Sequence, residues 1–446
     1  MALTGLQIFK LMPKTNCKEC GQPTCMAFSM ALATAKTTLD ACPHVSEEAK
    51  EALGAASAPP VSKIVFGKGE KARETGDEVV LFRHDKRFYH PACLAITIGD
   101  DLSDGDFDKK IDAINDMTFE RVGVTVSIDA VALVDKSGDA EKFAERAGRL
   151  AEKSKFALIL VSERVEALEK ALAVSAQVKP LVYGVNESNW EAVAKLAKAN
   201  DCPVVVTGSG IDAISAISQK VGEITKEIIL STSAPGQAQK LADLTQIRRQ
   251  AIRKKVRPLG YPSLVSVCGR PALSQVAEAA TYIAKFGSII MLDACEKAQI
   301  LPLLALNQNL FSDPQKPAQV EPGVFAIGVA DENSPVYCTT NFSLTYYSVE
   351  GEISGSKIPS WLMAVPTDGT SVLTAWAAGK FTGEKIAEFI NENKYSEKFP
   401  NKTLVIPGHV AVLKAPIEEK TGWRVLVGPN EAVGIPAFAK SNFGNA

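Results

Sequence analysis

The sequence predicts an α/β protein of three modules: a small cysteine-rich head, a central (β/α)8 TIM barrel, and a small open α/β (Rossmann-like) sheet at the C-terminal end. Three observations carry this expectation. Four of the nine cysteines fall between Cys17 and Cys42. Apolar runs, each followed by an amphipathic stretch, fill the region from Leu94 to about residue 310. Proline-bearing segments at 54–62 and 311–335 flank that array. The expected boundaries are 1–57, 58–320 and 321–446.

Composition sets the outer limits. A chain of 446 residues with 46% hydrophobic content has room for several real cores. Its 49 basic and 51 acidic residues are interspersed, so neither a nucleic acid nor an anionic membrane is an expected partner. The first residues lack the basic-then-apolar layout of a signal peptide, and no apolar run is long enough to span a bilayer. A cytoplasmic protein is expected. Cys93, Cys202, Cys268, Cys295 and Cys338 stand alone in apolar or strand-like contexts and are read as buried, inert thiols of a reducing compartment.

The head begins with a short helix over residues 3–12, with Thr4 as a cap and Pro13 as its stop. The spacing Cys17-x2-Cys20-x4-Cys25-x16-Cys42 follows. Thiolates this close bind a tetrahedral zinc or a cubane 4Fe-4S cluster. Three features favour the cluster. Structural zinc sites usually arrive as two short pairs, not a tight trio closed by one remote ligand. Gly21 and Pro23 bend the loop so that backbone amides can face cluster sulfurs, a contact that raises the reduction potential. Cys42 is followed by Pro43, as cluster-closing cysteines often are. His44 is read as a surface residue after a turn. A helix over 26–39 and another over SEEAKEAL, capped by Ser46, complete the head. The linker GAASAPPVS reaches about 30 Å at ~3.3 Å per residue, so the head is expected to move relative to the body.

The barrel strands are expected at Leu94 to Ile98, Val122 to Ile128, Phe156 to Val161, Leu181 to Val185, Val204 to Thr207, Ile228 to Ser231, Leu264 to Val267 and Ser288 to Leu292. Continuous apolar strands joined by helices imply a parallel sheet covered on its outer face. A doubly wound sheet is the alternative, because pattern alone does not show closure. Sites on barrels lie at C-terminal strand ends, here Asn186, Ser209, Ser233, Gly269, Arg270 and Asp293. No catalytic set is spelled out among them. Asp293 is the best candidate for a ligand contact and is read first as a cap on the next helix. The acidic run DDLSDGDFD lacks the glycine and glutamate of a calcium loop and reads as a solvated turn and helix start. His84 and His90 precede the first clear barrel strand.

The C-terminal module is expected to carry strands at NFSLTYYSV, SWLMAVP, TLVIPG and RVLVGP. Ligands on small open sheets bind beyond the C-terminal strand ends, which here read VPTDGTSVLT, IPGHVAV and VGPNEAVG. Gly and Pro beside small residues let a large flat ligand approach the backbone closely; ordinary βα-turn chemistry is the alternative.

In this order the modules resemble the large (gamma) subunit of the corrinoid iron-sulfur protein of the acetyl-CoA synthase / carbon monoxide dehydrogenase (Wood-Ljungdahl) pathway. The resemblance covers the whole chain and is most specific in KTNCKECGQPTCMAF and in SWLMAVPTDGTSVLTAWAAGKFTG. It implies 4Fe-4S ligands at Cys17, Cys20, Cys25 and Cys42, and cobamide contacts at Thr340, Tyr346, Thr370, Ser371, Val372, Leu373, Thr374, Ala432, Val433 and Gly434. It implies a methyl carrier with no substrate of its own. The corrinoid as Co(I) takes a methyl group from methyltetrahydrofolate on a separate methyltransferase, and methyl-Co(III) passes it to acetyl-CoA synthase. A small (beta) subunit completes a heterodimer, and a low-potential donor such as ferredoxin feeds the cluster, which returns Co(II) to Co(I).

One absence is readable directly. The Asp-x-His-x-x-Gly motif of many cobalamin modules is missing, and His409 is the only histidine of the C-terminal module. A base-off corrinoid without a protein histidine ligand is expected, with Thr374 near the lower face of cobalt. Omitting a strong lower nitrogen ligand favours Co(I). Two rivals stand beside this reading. A pterin-dependent methyltransferase would need Asp and Asn at several strand ends, and a ferredoxin-like adaptor would use only residues 1 to 57.

Overall fold

The computed structural model describes residues 5–33, 37, 39–46, 49, 59–82, 85–86, 88–311 and 317–444. Contacts divide the chain into two compact units, Met1–Thr118 with Ser127–Phe311, and Phe119–Val126 with Ser312–Ala446. Among the described residues no helix is long and apolar enough to cross a membrane.

In the first unit, the head consists of helices Gly5–Leu11 and Cys25–Ala33 packed through Ile8, Met12, Phe28 and Leu32 around Cys25 and Cys42. Thr24 opens the second helix by accepting from the Ala27 amide at 3.0 Å, as an N-cap should. Ser46 accepts from the Ala49 amide at 3.2 Å. The rest of the SEEAKEAL helix, residues 34–36 and 38 of the predicted second helix, the linker up to residue 58, His84, and residues 312–316 of the second break lie outside the described residues.

An antiparallel hairpin, β1 (Ile64–Phe66) and β2 (Arg73–Thr75), precedes the barrel. The strands in chain order are β3 (Cys93–Gly99), a second hairpin β4 (Thr118–Arg121) and β5 (Val124–Ser127), then β6 (Ala130–Val134), β7 (Ala157–Val161), β8 (Leu181–Val185), β9 (Val204–Gly208), β10 (Ile228–Thr232), β11 (Ser263–Ser266) and β12 (Ile289–Leu292). Eight of them close a barrel in the order β10-β11-β12-β3-β6-β7-β8-β9. The expected closed (β/α)8 architecture is therefore present. Every residue of β3 is buried, as a strand covered on both faces requires. Small side chains at Ala95, Ala130, Ala132 and Ala157 leave interior space that Ile64 and Phe66 of the first hairpin fill. Full burial of one such side chain stabilises the fold by about 1.5–3 kcal/mol.

The second barrel strand differs from expectation. Val122 to Ile128 alternates apolar and polar residues, the pattern of a half-exposed hairpin, and the continuous run AVALV at β6 is the barrel strand. The hairpin turns on Val122 (φ 52°) and Gly123 (φ 66°), a two-residue loop with both positions left-handed. A Cβ on Gly123 would fall on the Tyr347 ring, so the hairpin tip rests against the second unit, to which it belongs.

The second unit is a five-stranded sheet of β13 (Gly323–Ile327), β14 (Val336–Thr340), β15 (Ser360–Val365), β16 (Thr403–Ile406) and β17 (Arg424–Val427), ordered β13-β15-β14-β16-β17. Only β13 is antiparallel to its neighbour. NFSLTYYSV is a second correction: after β14 the chain forms the helix Ser343–Ser356, not a strand. Its β-branched and aromatic residues suit a strand by propensity, but Tyr346, Val349 and Ile353 recur at helical spacing and pack on one face of the sheet. The opposite face packs Val336, Cys338, Met363, Phe381 and Trp423.

Candidate cofactor sites

Along the cysteine loop, Lys14 (φ 58°), Asn16 (φ 49°), Lys18 (φ 67°) and Gly21 (φ 75°) are left-handed. The Gly21 amide donates to the Lys18 carbonyl at 2.9 Å, and the Asn16 amide donates to Cys25 Sγ at 3.4 Å. Cys25 and Cys42 are buried, Cys20 is half-buried and Cys17 exposed. The Cys42 thiol is pushed up by burial, against a hydrogen bond with the His44 backbone, and further by the nearness of Cys20, Cys25 and Cys17. Among the described residues, the trio of ligand atoms lying within 4.8 Å of one another is Cys17, Glu19 and His44, not a set of cysteines. His44 pairs with Glu19 at 2.9 Å on the surface, as its position after a turn suggests. The donor set, the burial of Cys25 and Cys42 and the amide donated to Cys25 Sγ suit a cubane cluster.

The other five cysteines carry thiols pushed up mainly by burial, Cys202 to about 12; Cys93, Cys202 and Cys338 are buried as expected, whereas Cys268 and Cys295 are half-buried.

The second unit holds a cavity of about 340 Å³ beyond the C-terminal ends of β14, β16 and β17. The connection after β14 runs to β15 on one side and the connection after β16 runs to β17 on the other, so the gap between β14 and β16 is the topological switch point, where open α/β sheets bind ligands. Tyr337 and Thr339 form its floor, Leu344, Thr345, Ser348 and Val349 one wall, and Pro407, His409 and Pro429–Ala432 another. The Tyr337 and Thr339 hydroxyls are buried without a hydrogen-bond partner, as is that of Thr340. A buried hydroxyl left unpaired is expensive, and Tyr337 and Thr339 are among the residues that line the cavity. Leu344 (53% exposed) and Leu373 (49%) give the cavity an apolar edge, and Val433 (75%) is exposed one residue after Ala432. Asn341, buried at the end of β14, accepts from the amides of Thr367 (2.9 Å) and Gly369 (3.2 Å) and so fixes the loop after β15.

Residues 63–439 match the family described as CO dehydrogenase/acetyl-CoA synthase delta subunit, and residues 12–44 match a putative Fe-S cluster family. The chain is 47% identical over 443 residues to the corrinoid/iron-sulfur protein large subunit of Moorella thermoacetica, covering 99% of both chains. It is 35% identical to the acetyl-CoA decarbonylase/synthase complex subunit gamma of Methanothermobacter thermautotrophicus, over 98% of each. The chain belongs to the corrinoid/iron-sulfur protein large-subunit family. Among solved structures, dihydropteroate synthase of Stenotrophomonas maltophilia overlaps 50% of this chain and 94% of its own at 14% identity and a TM-score of 0.38.

Of the contacts that the corrinoid/iron-sulfur resemblance implies, Val372, Leu373 and Ala432 line the cavity. Ser371 donates to Thr374 at 3.0 Å beside them, and Thr370 donates to the Thr367 carbonyl at 2.7 Å. Val433 and Gly434 follow Ala432 in the same short turn. Thr340 is buried one residue beyond Thr339, and alternation along the strand turns it to the other face. Tyr346 does not line the cavity; it packs edge-on against Phe325 at 5.6 Å. Sequence reasoning missed Tyr337, Thr339, Asn341 and His409 as cavity or loop-fixing residues. Only the cluster of hydroxyl residues in VYCTTN hinted at the first three.

At the barrel mouth, Asp293 does not cap the following helix. It accepts from the Gly269 amide at 3.0 Å and from the Gln275 side chain. The register of β3 and β6 adds two strand-end carboxylates that the sequence reading did not count. Asp100 holds the amides of Lys136 (2.7 Å) and Ser137 (2.8 Å), and Asp135 holds Arg164 and Ser162. All three are committed to neighbours, which leaves the pterin-binding alternative without support from them. The acidic run starts a helix capped by Ser103, as expected, although Asp100 is buried.

Proposed function

We propose that the chain is the large subunit of a methyl-carrier corrinoid protein, with a cobamide at the switch-point cavity and a 4Fe-4S cluster on Cys17, Cys20, Cys25 and Cys42. The observation that carries this reading is the cavity with orphaned Tyr337 and Thr339 hydroxyls under an apolar rim. When bound, the corrinoid supplies a cobalt nucleophile that takes up a methyl group and gives it up again.

Each residue has a task in this reading. Tyr337 and Thr339 offer hydrogen bonds to polar edges of the cofactor. Leu344, Leu373 and Val433 exclude water from a flat apolar face. Gly408 and Gly428 keep the adjoining loops close-packed: a Cβ on Gly408 would meet the Gly428 carbonyl at 2.7 Å. Thr340, Tyr346, Thr370, Ser371, Val372, Thr374, Ala432 and Gly434 complete the proposed contact set, the buried ones by supporting those that touch. His409, on the wall, lies 3.6 Å from Glu431 and is kept as a wall residue, not a cobalt ligand. The cluster ligands hold an electron relay that restores the reduced cobalt.

The proposal extends to a cytoplasmic heterodimer with a small subunit, a methyltetrahydrofolate:corrinoid methyltransferase as donor, acetyl-CoA synthase as acceptor and a ferredoxin-like reductant. Head (1–57), barrel (58–320) and corrinoid domain (321–446) are its proposed modules, with the hairpin segment Phe119–Val126 going with the last of them.

The test is reconstitution of the heterodimer with cobamide, followed by cobalt and iron assays, a visible spectrum and methyl transfer from labelled methyltetrahydrofolate. About one cobalt and about four irons per heterodimer are expected, with no imidazole nitrogen coupling in the EPR spectrum of Co(II). Failure to retain cobalt would overturn the carrier reading; a nitrogen coupling lost in His409→Ala would overturn the base-off part alone.

A further inference from the structure

We infer that Asn16 is a positioning residue for the cluster: it grips Cys25 from two sides and sets the reduction potential through the amide it aims at that sulfur. The inference rests on the reading of Cys25 as a cluster ligand.

The Asn16 backbone N–H donates to Cys25 Sγ at 3.4 Å. The Asn16 side-chain Oδ1 accepts from the Cys25 backbone N–H at 2.8 Å. These two bonds tie the loop just before Cys17 to the first turn of the helix Cys25–Ala33. The second bond satisfies an amide that a helix start leaves without an intrahelical partner. It also anchors the loop so that the first bond is held in place.

Residue type matters at this position. Asn16 is left-handed (φ 49°), a region that asparagine tolerates better than most residues with a Cβ. Its short amide places an uncharged acceptor where aspartate would add a negative charge beside an anionic cluster. Cys25 is only 5% exposed, so the N–H dipole acts on the sulfur in a weakly screened setting. A donor aimed at a ligand sulfur favours the more negative, reduced cluster and raises its potential. Asn16 therefore limits how low the potential falls while keeping the ligand fixed.

The experiment uses Asn16→Ala and Asn16→Gly in the full heterodimer. Iron content, an EPR-monitored redox titration, and the exchangeable proton couplings of the reduced cluster are read. Asn16→Ala should keep its iron and shift the one-electron couple negative by about tenfold in the reduction equilibrium, about 59 mV. One strongly coupled exchangeable proton should disappear with it. Asn16→Gly keeps the left-handed backbone and its amide but loses Oδ1, and should shift less in the same direction. An unchanged potential and proton coupling in Asn16→Ala overturns the inference. If that variant loses iron, Asn16→Gly decides by the same two readouts, and loss of iron from both marks a merely structural role and overturns it too. Absence of iron from the unaltered protein would instead defeat the cluster reading itself.

Discussion

Replacing Thr339 by valine should make the corrinoid-free protein more stable and the corrinoid-loaded protein weaker at holding its cofactor. Thr339 is 0% exposed, and its Oγ1 has no hydrogen-bond partner. A buried hydroxyl left unpaired costs about 1–3 kcal/mol, and valine keeps the shape while removing the polar atom. Relief of even about 1 kcal/mol should raise the melting temperature of a unit this size by about 3–5 °C. With cobamide bound the same hydroxyl makes a bond worth about 0.5–1.5 kcal/mol, so its loss should weaken retention by roughly two- to tenfold. Calorimetry of the corrinoid-free protein gives the first quantity, and absorbance titration with cobamide gives the second. Thr339→Ser, which keeps the hydroxyl, should hold cofactor nearly as well as the unaltered chain. A Thr339→Val protein that melts lower and binds cobamide equally well would refute the assignment, because the hydroxyl would then be neither orphaned nor aimed at the ligand.

Three further outcomes follow from separate parts of the molecule. Cys20→Ala, supplied with chemically reduced corrinoid, should transfer methyl groups at an unaltered rate yet fail to recover through a physiological reductant; normal enzymatic recovery would sink the repair role of the cluster. Gly123→Ala meets both a left-handed backbone and the Tyr347 ring, and should lower stability by roughly 2–4 kcal/mol in urea unfolding, whereas a loss under about 0.5 kcal/mol would mean the hairpin tip does not rest there. Burial raises the Asp135 carboxyl, but its bonds with Arg164 and Ser162 outweigh that and hold it below the usual carboxylate range. A depressed folded-state value gives stability that is present above the unfolded pKa of about 3.9 and lost as pH falls through the lower value. The stability gap between the unaltered chain and Asp135→Asn should therefore shrink on acidification below about pH 4, and a gap constant from neutral to pH 3 would contradict it.

Much of the architecture was legible because burial on both faces leaves a simple signature. Runs such as ALILV at β7 and IIML at β12 are apolar without a break, and seven of the eight expected barrel strands coincide with or overlap observed ones. Local pattern failed where tertiary context decided. VTVS looks like a strand and is one, but in a hairpin outside the barrel, whereas AVALV, which begins three residues after its end, is the strand that pairs with β3. SLTYYSV has strand-like residues, yet it forms a helix covering the sheet that its own preceding strand joins. The cysteine spacing was readable as chemistry because ligands must be thiolates at short separations. Asn16 was not, since nothing in a lone asparagine before a cysteine announces that both its amide and its side chain turn to Cys25. The cavity was half legible: glycine and proline marked the loops, but Tyr337 and Thr339 owe their role to strand order, which places them at the switch point.

The excursion of β4 and β5 bears on how the molecule is made. The second unit is discontinuous in sequence, since Phe119–Val126 belongs with residues after 311. During synthesis the hairpin emerges long before Tyr347, the residue its tip covers, and must wait for most of the barrel to be translated before that surface exists. A fragment beginning at residue 317 would contain all five strands of the sheet and still lack a piece of its own surface. Expression of the C-terminal unit alone is thus expected to yield a domain with Tyr347 bare. A circular permutant or a fusion that restores the hairpin in cis should be the better-behaved species.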